Sequence, residues 1–195
     1  MLNWSTLLNA EAAAVVLALA YVLLAIRQSF WCWPAAALSA AIYTMLFLEG
    51  RLYMESLLQL FYVAMAGYGL WQWKFAGTHG ASLAVSTRPW RWHIVAVALV
   101  VVVSLAVSWL MLRYTNAEEV WLDTLTTVAS LLTTWMVARK IVENWLYWIV
   151  IDAFYVYLFA TKGFTLTAIL YALYLAMAAY GFYTWRKSFV ASRSA

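Results

Sequence analysis

One acidic residue stands in the middle of an apolar run. Asp152 lies within Trp145–Ala160, a segment that holds no basic residue. A carboxylate in such a place is costly unless it is paired, solvated or protonated, so an ionisable residue inside a span reads as functional. At helical spacings of three, four and seven residues, Asp152 shares a face with Trp145, Trp148, Tyr155 and Phe159. Large rings around an acid suit a flat cationic ligand. The rings stack and attract the cation, and the acid supplies charge or accepts a hydrogen bond. The plainer alternative is an aspartate bonded to a Thr or Tyr of a neighbouring helix.

Other candidates surround it. Glu55, Gln59, Tyr62 and Ala66 fall on one helical face, and Thr167, Tyr171, Tyr174 and Ala178 fall on another. Gln59 can both donate and accept inside an apolar layer. Glu55 sits nearer a helix end, where solvation or pairing with Arg51 is an equal reading. Asn144 begins its segment and reads as a cap rather than a ligand contact. Thr126, Thr127, Ser130, Thr133 and Thr134 read as packing hydroxyls that bond back to their own helix. The candidate binding set read from these faces is Asp152, Trp148, Tyr155, Gln59, Tyr62, Tyr171 and Tyr174.

These residues must be carried by membrane helices. Of the 195 residues, 67% are hydrophobic and only 10% charged. A soluble domain carries about 25% charge. That excludes a soluble globular protein, a nucleic-acid binder and a disordered chain. The apolar runs are continuous rather than alternating, which argues against a β-barrel. Seven segments are drawn as spans: 10–26, 32–48, 53–73, 92–112, 119–137, 145–160 and 164–185. The first has no basic region before it and no convincing cleavage site after it, so it reads as a span rather than a signal peptide. The one long connection, 74–91, holds Gly77, Gly80 and Pro89. Trp4, Trp31, Trp33, Trp73, Trp90, Trp92 and Trp185 fall near predicted span ends and are expected to form interfacial belts.

The chain also repeats itself. A shift of 112 residues lays 27–74 on 139–186 without a gap, with 14 identities in 48 positions. Trp33 meets Trp145, Tyr62 meets Tyr174, Gly69 meets Gly181 and Trp73 meets Trp185. Each repeat is three helices and the fourth span is left over. That odd helix reverses the chain, so both triplets run in the same direction. The reading is an all-α polytopic membrane protein with seven helices as 3+1+3 parallel repeats. Its parts are a first repeat at 1–75, a loop and linker helix at 76–117, and a second repeat at 118–195. Repeats related by an axis along the membrane normal are a transporter architecture, with the site at the repeat interface.

Several chemistries lack their residues. There is no phosphate-binding loop, no His-Glu-x-x-His pair and no plausible nucleophile–base set, so no enzyme is expected. The single Cys32 excludes an intrachain disulfide or a cysteine metal cluster. His79 and His93 fall in or beside the 74–91 loop and read as surface residues. Gly67, Gly69 and Gly181 read as close-packing or hinge positions. No metal and no cofactor is implied.

Two stretches carry a family resemblance. They are Gly50-Arg-Leu-Tyr-Met-Glu-Ser-Leu-Leu-Gln-Leu-Phe-Tyr62 with Tyr68-Gly-Leu-Trp-Gln-Trp73, and Arg139-Lys-Ile-Val-Glu-Asn-Trp-Leu-Tyr-Trp148 running on through Ile151-Asp-Ala153 to Lys162-Gly-Phe-Thr-Leu-Thr-Ala168. Together they resemble the PnuC family of vitamin transporters over nearly the whole chain. The resemblance implies a 3+1+3 fold related to the SWEET sugar transporters. It implies an inner-membrane facilitator for a cationic vitamin, nicotinamide riboside first, working by alternating access without ATP hydrolysis. A cytoplasmic kinase would trap the substrate. It places the site around Asn144, Trp145, Trp148, Asp152, Tyr155, Gln59 and Tyr62. Asp152, and the residues Ala37, Ser39 and Ala40 of the second span, depart from some members, which keeps thiamine as an alternative. A non-transporting receptor or scaffold is the more distant one. Partners are then the substrate and the lipid bilayer, with no nucleic acid and with a homo-oligomer left open.

Charge sets the expected orientation. Arg27, Lys74, Arg88, Arg91, Arg139, Lys140, Arg186, Lys187 and Arg193 fall on one side, against Arg51, Arg113 and Lys162 on the other. The bias predicts the N-terminus outside and the C-terminus in the cytoplasm of a bacterial inner membrane. A C-terminal reporter active only in the cytoplasm should be on. Activity from a reporter that works only outside would reverse the orientation.

Overall fold

The computed structural model describes residues 4–51, 53–77, 83–114, 120–161 and 163–194. Seven helices follow one another: α1 (Trp4–Ile26), α2 (Cys32–Glu49), α3 (Tyr53–Phe75), α4 (Trp90–Tyr114), α5 (Val120–Ala138), α6 (Asn144–Thr161) and α7 (Thr165–Ser194). Among the described residues there is no strand beyond an isolated bridge between Ser86 and Ile141. Five helices, α1, α2, α4, α5 and α7, are long and apolar enough to cross a membrane. The other two, α3 and α6, are comparably long but carry Glu55, Gln59 and Gln72, or Asn144 and Asp152. The last helix runs to Ser194, past the expected end near 185, because no Gly or Pro interrupts 182–194. His79 and Lys162 lie outside the described residues.

The chain forms two compact units. The first comprises Met1–Ala84 with Ala138–Lys140, and the second Val85–Val137 with Ile141–Ala195. In the first unit α2 packs against both α1 and α3. The Ser39 hydroxyl donates to the Ala14 carbonyl of α1 at 2.8 Å, and the Ser56 hydroxyl of α3 donates to the Thr44 carbonyl at 3.1 Å. In the second unit α6 packs on α7, and the Ser108 hydroxyl of α4 donates to Thr124 of α5 at 2.8 Å. Without water to drive apolar burial, such packing and hydrogen bonds are what join helices in lipid.

The 112-residue shift found in the sequence recurs in the backbone. Both ends of α2 fall on both ends of α6 under that shift, the end of α1 falls on the end of α5, and the start of α3 falls on the start of α7. The positive-φ residues pair in the same way: Gln28 (55°) with Lys140 (48°), and Arg51 (58°) with Gly163 (79°). Each of the first pair follows a helix end as a left-handed cap. The next N–H then reaches back five residues, Ser29 to Leu24 and Ile141 to Met136, both at 3.0 Å.

The packing repeats too. The Trp33 and Trp73 rings meet edge to face at 5.5 Å and 85°, and Trp145 and Trp185 at 5.4 Å and 86°. A Cβ built on Gly69 would lie 2.3 Å from the Trp33 ring, and one on Gly181 would lie 2.7 Å from Trp145. Each indole therefore occupies the gap that a glycine leaves on the neighbouring helix. This corrects the expectation for Trp33, Trp73 and Trp185. They are at most 2% exposed and belong to the core, not to an interfacial belt. Trp31 and Trp90 are exposed, as belt residues would be, and the side chain of Trp4 lies outside the described set. Lys140 is also buried, with Nζ 4.6 Å from the Trp73 ring centre. Burial pushes its ammonium pKa down, opposed by the nearby Cys32 thiol.

Gly67 differs, since a Cβ there would meet nothing within 4 Å. Gly67→Ala should therefore be neutral or raise thermal stability slightly, by up to about 1 kcal/mol. Gly69→Ala and Gly181→Ala should each lose roughly 1–3 kcal/mol through overpacking. Thermal unfolding in detergent measures both, and equal effects at Gly67 and Gly69 would refute the packing argument.

Candidate functional site

The expected binding residues divide between the two units. Gln59 and Tyr62 belong to α3 of the first, where both are half-buried. Tyr62 meets Phe61 edge-on at 5.9 Å. Asn144, Trp148, Asp152, Tyr155, Tyr171 and Tyr174 belong to the second. Glu55 and Arg51 are both exposed, as solvated end residues would be.

In the second unit the Trp145–Gly181 contact sets α6 against α7, and the aromatic residues above it meet. Tyr155 stacks on Tyr171 at 4.7 Å and 29°, and Phe159 stacks on the same ring at 5.4 Å and 12°. Tyr171 then meets Tyr174 at 6.1 Å and Phe159 meets Phe164 at 6.2 Å. The rings form one continuous patch, within the distances at which aromatic pairs attract. Tyr155 also lies near Thr126 of α5. The structure thus brings Tyr155, Tyr171 and Tyr174 together.

Asp152 is 6% exposed and close enough to Tyr155 for its charge to act there. Among the described residues neither a cation nor a hydrogen-bond donor reaches its carboxylate. The alternative in which a neighbouring Thr or Tyr satisfies it is therefore not seen there. Trp148 lies four residues before it, half-buried, with no aromatic ring stacked on it among the described residues. Trp145 does not join that face. Its ring is taken by Gly181 and Trp185, so it positions the helix rather than lining a cage.

Asn144 is fully buried, and its side-chain N–H donates to the Ile141 carbonyl at 2.6 Å. It thereby ties the start of α6 to the turn before it. Its Oδ1 has no partner among the described residues. The α5 hydroxyls mostly bond back within α5: Thr126 to Leu122, Thr133 to Ala129 and Thr134 to Ser130. Sequence reasoning did not find the His93–Tyr147 pair, joined at 3.0 Å between Nδ1 and the hydroxyl. The 54 residues between them leave no local signal. His93 is half-buried rather than the surface residue expected. Among the described residues no group of three or more His, Cys, Asp or Glu could hold a metal ion.

A polytopic helical bundle built on a parallel repeat is an architecture of membrane transporters. A family model described as nicotinamide mononucleotide transporter matches residues 9–187, and the chain belongs to that family, PnuC. The riboflavin/roseoflavin transporter RibM of Streptomyces davaonensis is 28% identical over 185 residues, covering 93% of this chain and 84% of the relative. A crystal structure of the vitamin B3 transporter PnuC shares the fold, with a TM-score of 0.73, 22% identity, and coverage of 92% of this chain and 81% of that one. The protein is a vitamin transporter of this family, not an enzyme.

Asn144→Ala separates its two roles. Loss of the buried bond to Ile141 should cost about 1–3 kcal/mol of stability. If thermal unfolding is unchanged while substrate affinity falls, the residue is a ligand contact and not a cap.

Proposed function

We propose that the protein is an inner-membrane facilitator for a cationic vitamin, nicotinamide riboside first. The observation that carries this is Asp152, a buried carboxylate with neither a cation nor a hydrogen-bond donor against it among the described residues. A buried charge is tolerated when paired, and a pyridinium ligand brings the missing charge with it. Trp148 offers a free ring face and Tyr155 and Tyr171 a stacked pair, which suit a flat cation. Tyr174, Gln59, Tyr62 and the Asn144 oxygen complete the proposed set, with hydroxyl and amide groups for a ribose. Thiamine, also a flat cation, fits the same reasoning.

The proposed mechanism is alternating access, by rocking of two triplets, residues 1–75 and 118–195, joined by the linker at 76–117. No ATP is spent, and a cytoplasmic kinase would trap the imported vitamin. The N-terminus lies outside and the C-terminus inside in this reading. A second reading is favoured by one comparison, since RibM is named as a riboflavin transporter and aligns with 93% of this chain. A flavin is uncharged, so it makes no use of the Asp152 charge.

Flux into proteoliposomes separates these readings. Wild type should carry nicotinamide riboside, with thiamine or riboflavin as the competitors to test. Asp152→Asn should lower apparent affinity for a cation by about tenfold or more, the worth of a charge-assisted bond, and leave riboflavin uptake unchanged. Trp148→Ala should weaken any flat ligand. Normal transport by both variants would remove the site assignment.

A further inference from the structure

One acid of the second unit lies outside the proposed set. Asp123 is in the first turn of α5 and is exposed. Short connections join α5 to α6 and α6 to α7, so each pair is antiparallel. The start of α5, the end of α6 and the start of α7 therefore fall at one end of the unit. The Thr126 hydroxyl, one turn along α5, donates to the Asp123 carbonyl at 3.0 Å, and the same threonine lies near Tyr155. Asp123 and Asp152 are both close enough to Tyr155 for their charges to act on its hydroxyl. One tyrosine is thus shared by an exposed carboxylate and a buried one. Asp152 lies three residues, about 4.5 Å of helix axis, deeper than Tyr155 from the end at Thr161.

The charge around that ring is of one sign. Helices α5 and α6 hold no basic residue, and α7 holds none before Arg186. Among the described residues no cation pairs with either carboxylate. Two acids on one ring without a base attract a cation and repel an anion. The Tyr155, Tyr171 and Phe159 stack sets flat aromatic surface beside them. An acid in a first turn also complements the helix dipole, and the repeat separates the two roles. Under the 112-residue shift Asp123 falls on Glu11 and Tyr155 on Tyr43. Glu11 is exposed and lies near Tyr43, but it is not in the first turn of α1. The first unit thus keeps an acid beside the tyrosine where the dipole asks for none. What it lacks is the buried acid, because Asp152 falls on Ala40.

We propose that Asp123 and Tyr155 form an entry subsite, where a cationic substrate is held before it reaches Asp152. This rests on the reading of Asp152 as the carboxylate that binds the cation. Asp123 draws the cation from solution to the ring. Asp152, deeper in the same unit, then takes over the charge. The two acids act on different rates. An exposed rim charge governs how fast a ligand arrives and how strongly salt slows it, whereas a buried one governs how fast it leaves. With the N-terminus outside, the start of α5 is an outer end, and the subsite meets substrate on the side of uptake.

Stopped-flow tryptophan fluorescence of the purified full chain tests it, with nicotinamide riboside and thiamine as probes. Asp123→Asn should slow association about threefold to tenfold at low salt, remove most of its salt dependence, and leave dissociation within about twofold. Asp123→Glu should restore both rates. Asp152→Asn should instead speed dissociation. Glu11→Gln should leave association within about twofold, because no buried acid stands behind Tyr43. An equal loss in Glu11→Gln overturns the proposal, since the field would then belong to the whole end of the molecule. Faster dissociation in Asp152→Asn beside unchanged rates in Asp123→Asn overturns the subsite alone and leaves Asp123 its dipole role. If only thiamine binds, the vitamin changes and the same rates judge the subsite. If neither cation binds, the reading of Asp152 fails and the subsite fails with it.

Discussion

The fold depends on a tryptophan ring set into the gap above a glycine. Helices in lipid gain little from hiding apolar surface, because the solvent is as apolar as they are. Close contact has to come from shape. Trp33 against Gly69 and Trp145 against Gly181 supply it, since each glycine leaves space for a flat ring and a second indole closes the edge. The contact also sets the register of one helix on the next. Seven residues beyond Trp145, two turns along α6, stands Asp152, and beyond it Tyr155 reaches Tyr171. The proposed site is therefore placed by packing well below it.

A duplicated backbone carries chemistry that is not duplicated. Under the 112-residue shift Trp148 corresponds to Ala36, Asp152 to Ala40, Asn144 to Cys32 and Tyr171 to Gln59. The stacked pair survives in both copies, as Tyr43–Phe47 at 5.6 Å and Tyr155–Phe159 at 5.9 Å. Small residues on α2 leave it free to pack on two neighbours, with the Ser39 hydroxyl bonded to α1. The same positions on α6 carry the acid and the indole. Duplication preserves what packing requires, the ring, the glycine and the left-handed turn. The residues proposed to meet a ligand are free of that constraint and differ between the two copies.

Much of this was legible in the residues. The helices follow from continuous apolar runs, and the repeat follows from matched Trp, Tyr and Gly. The sequence placed Asp152 and its neighbours on one helical face because the period of a helix is known without a structure. It misassigned Trp33, Trp73 and Trp185, because a ring at a predicted span end reads the same whether it faces the interface or an adjoining helix. It placed Trp145 in the cage for the same reason, as periodicity gives a face but not what lies opposite.

Composition, helical period and the internal match determined by themselves that this is a helical membrane protein with a duplicated core and an acid where acids are costly. Those properties are local or additive along the chain, so they survive without coordinates. Only the tertiary structure decided which rings are locked against glycine, that the Asp152 carboxylate has no partner among the described residues, and that His93 meets Tyr147 across 54 residues of chain. Each of these is the presence or absence of a contact between helices. A contact depends on the distance and rotation of two elements at once, and no single stretch of sequence encodes both.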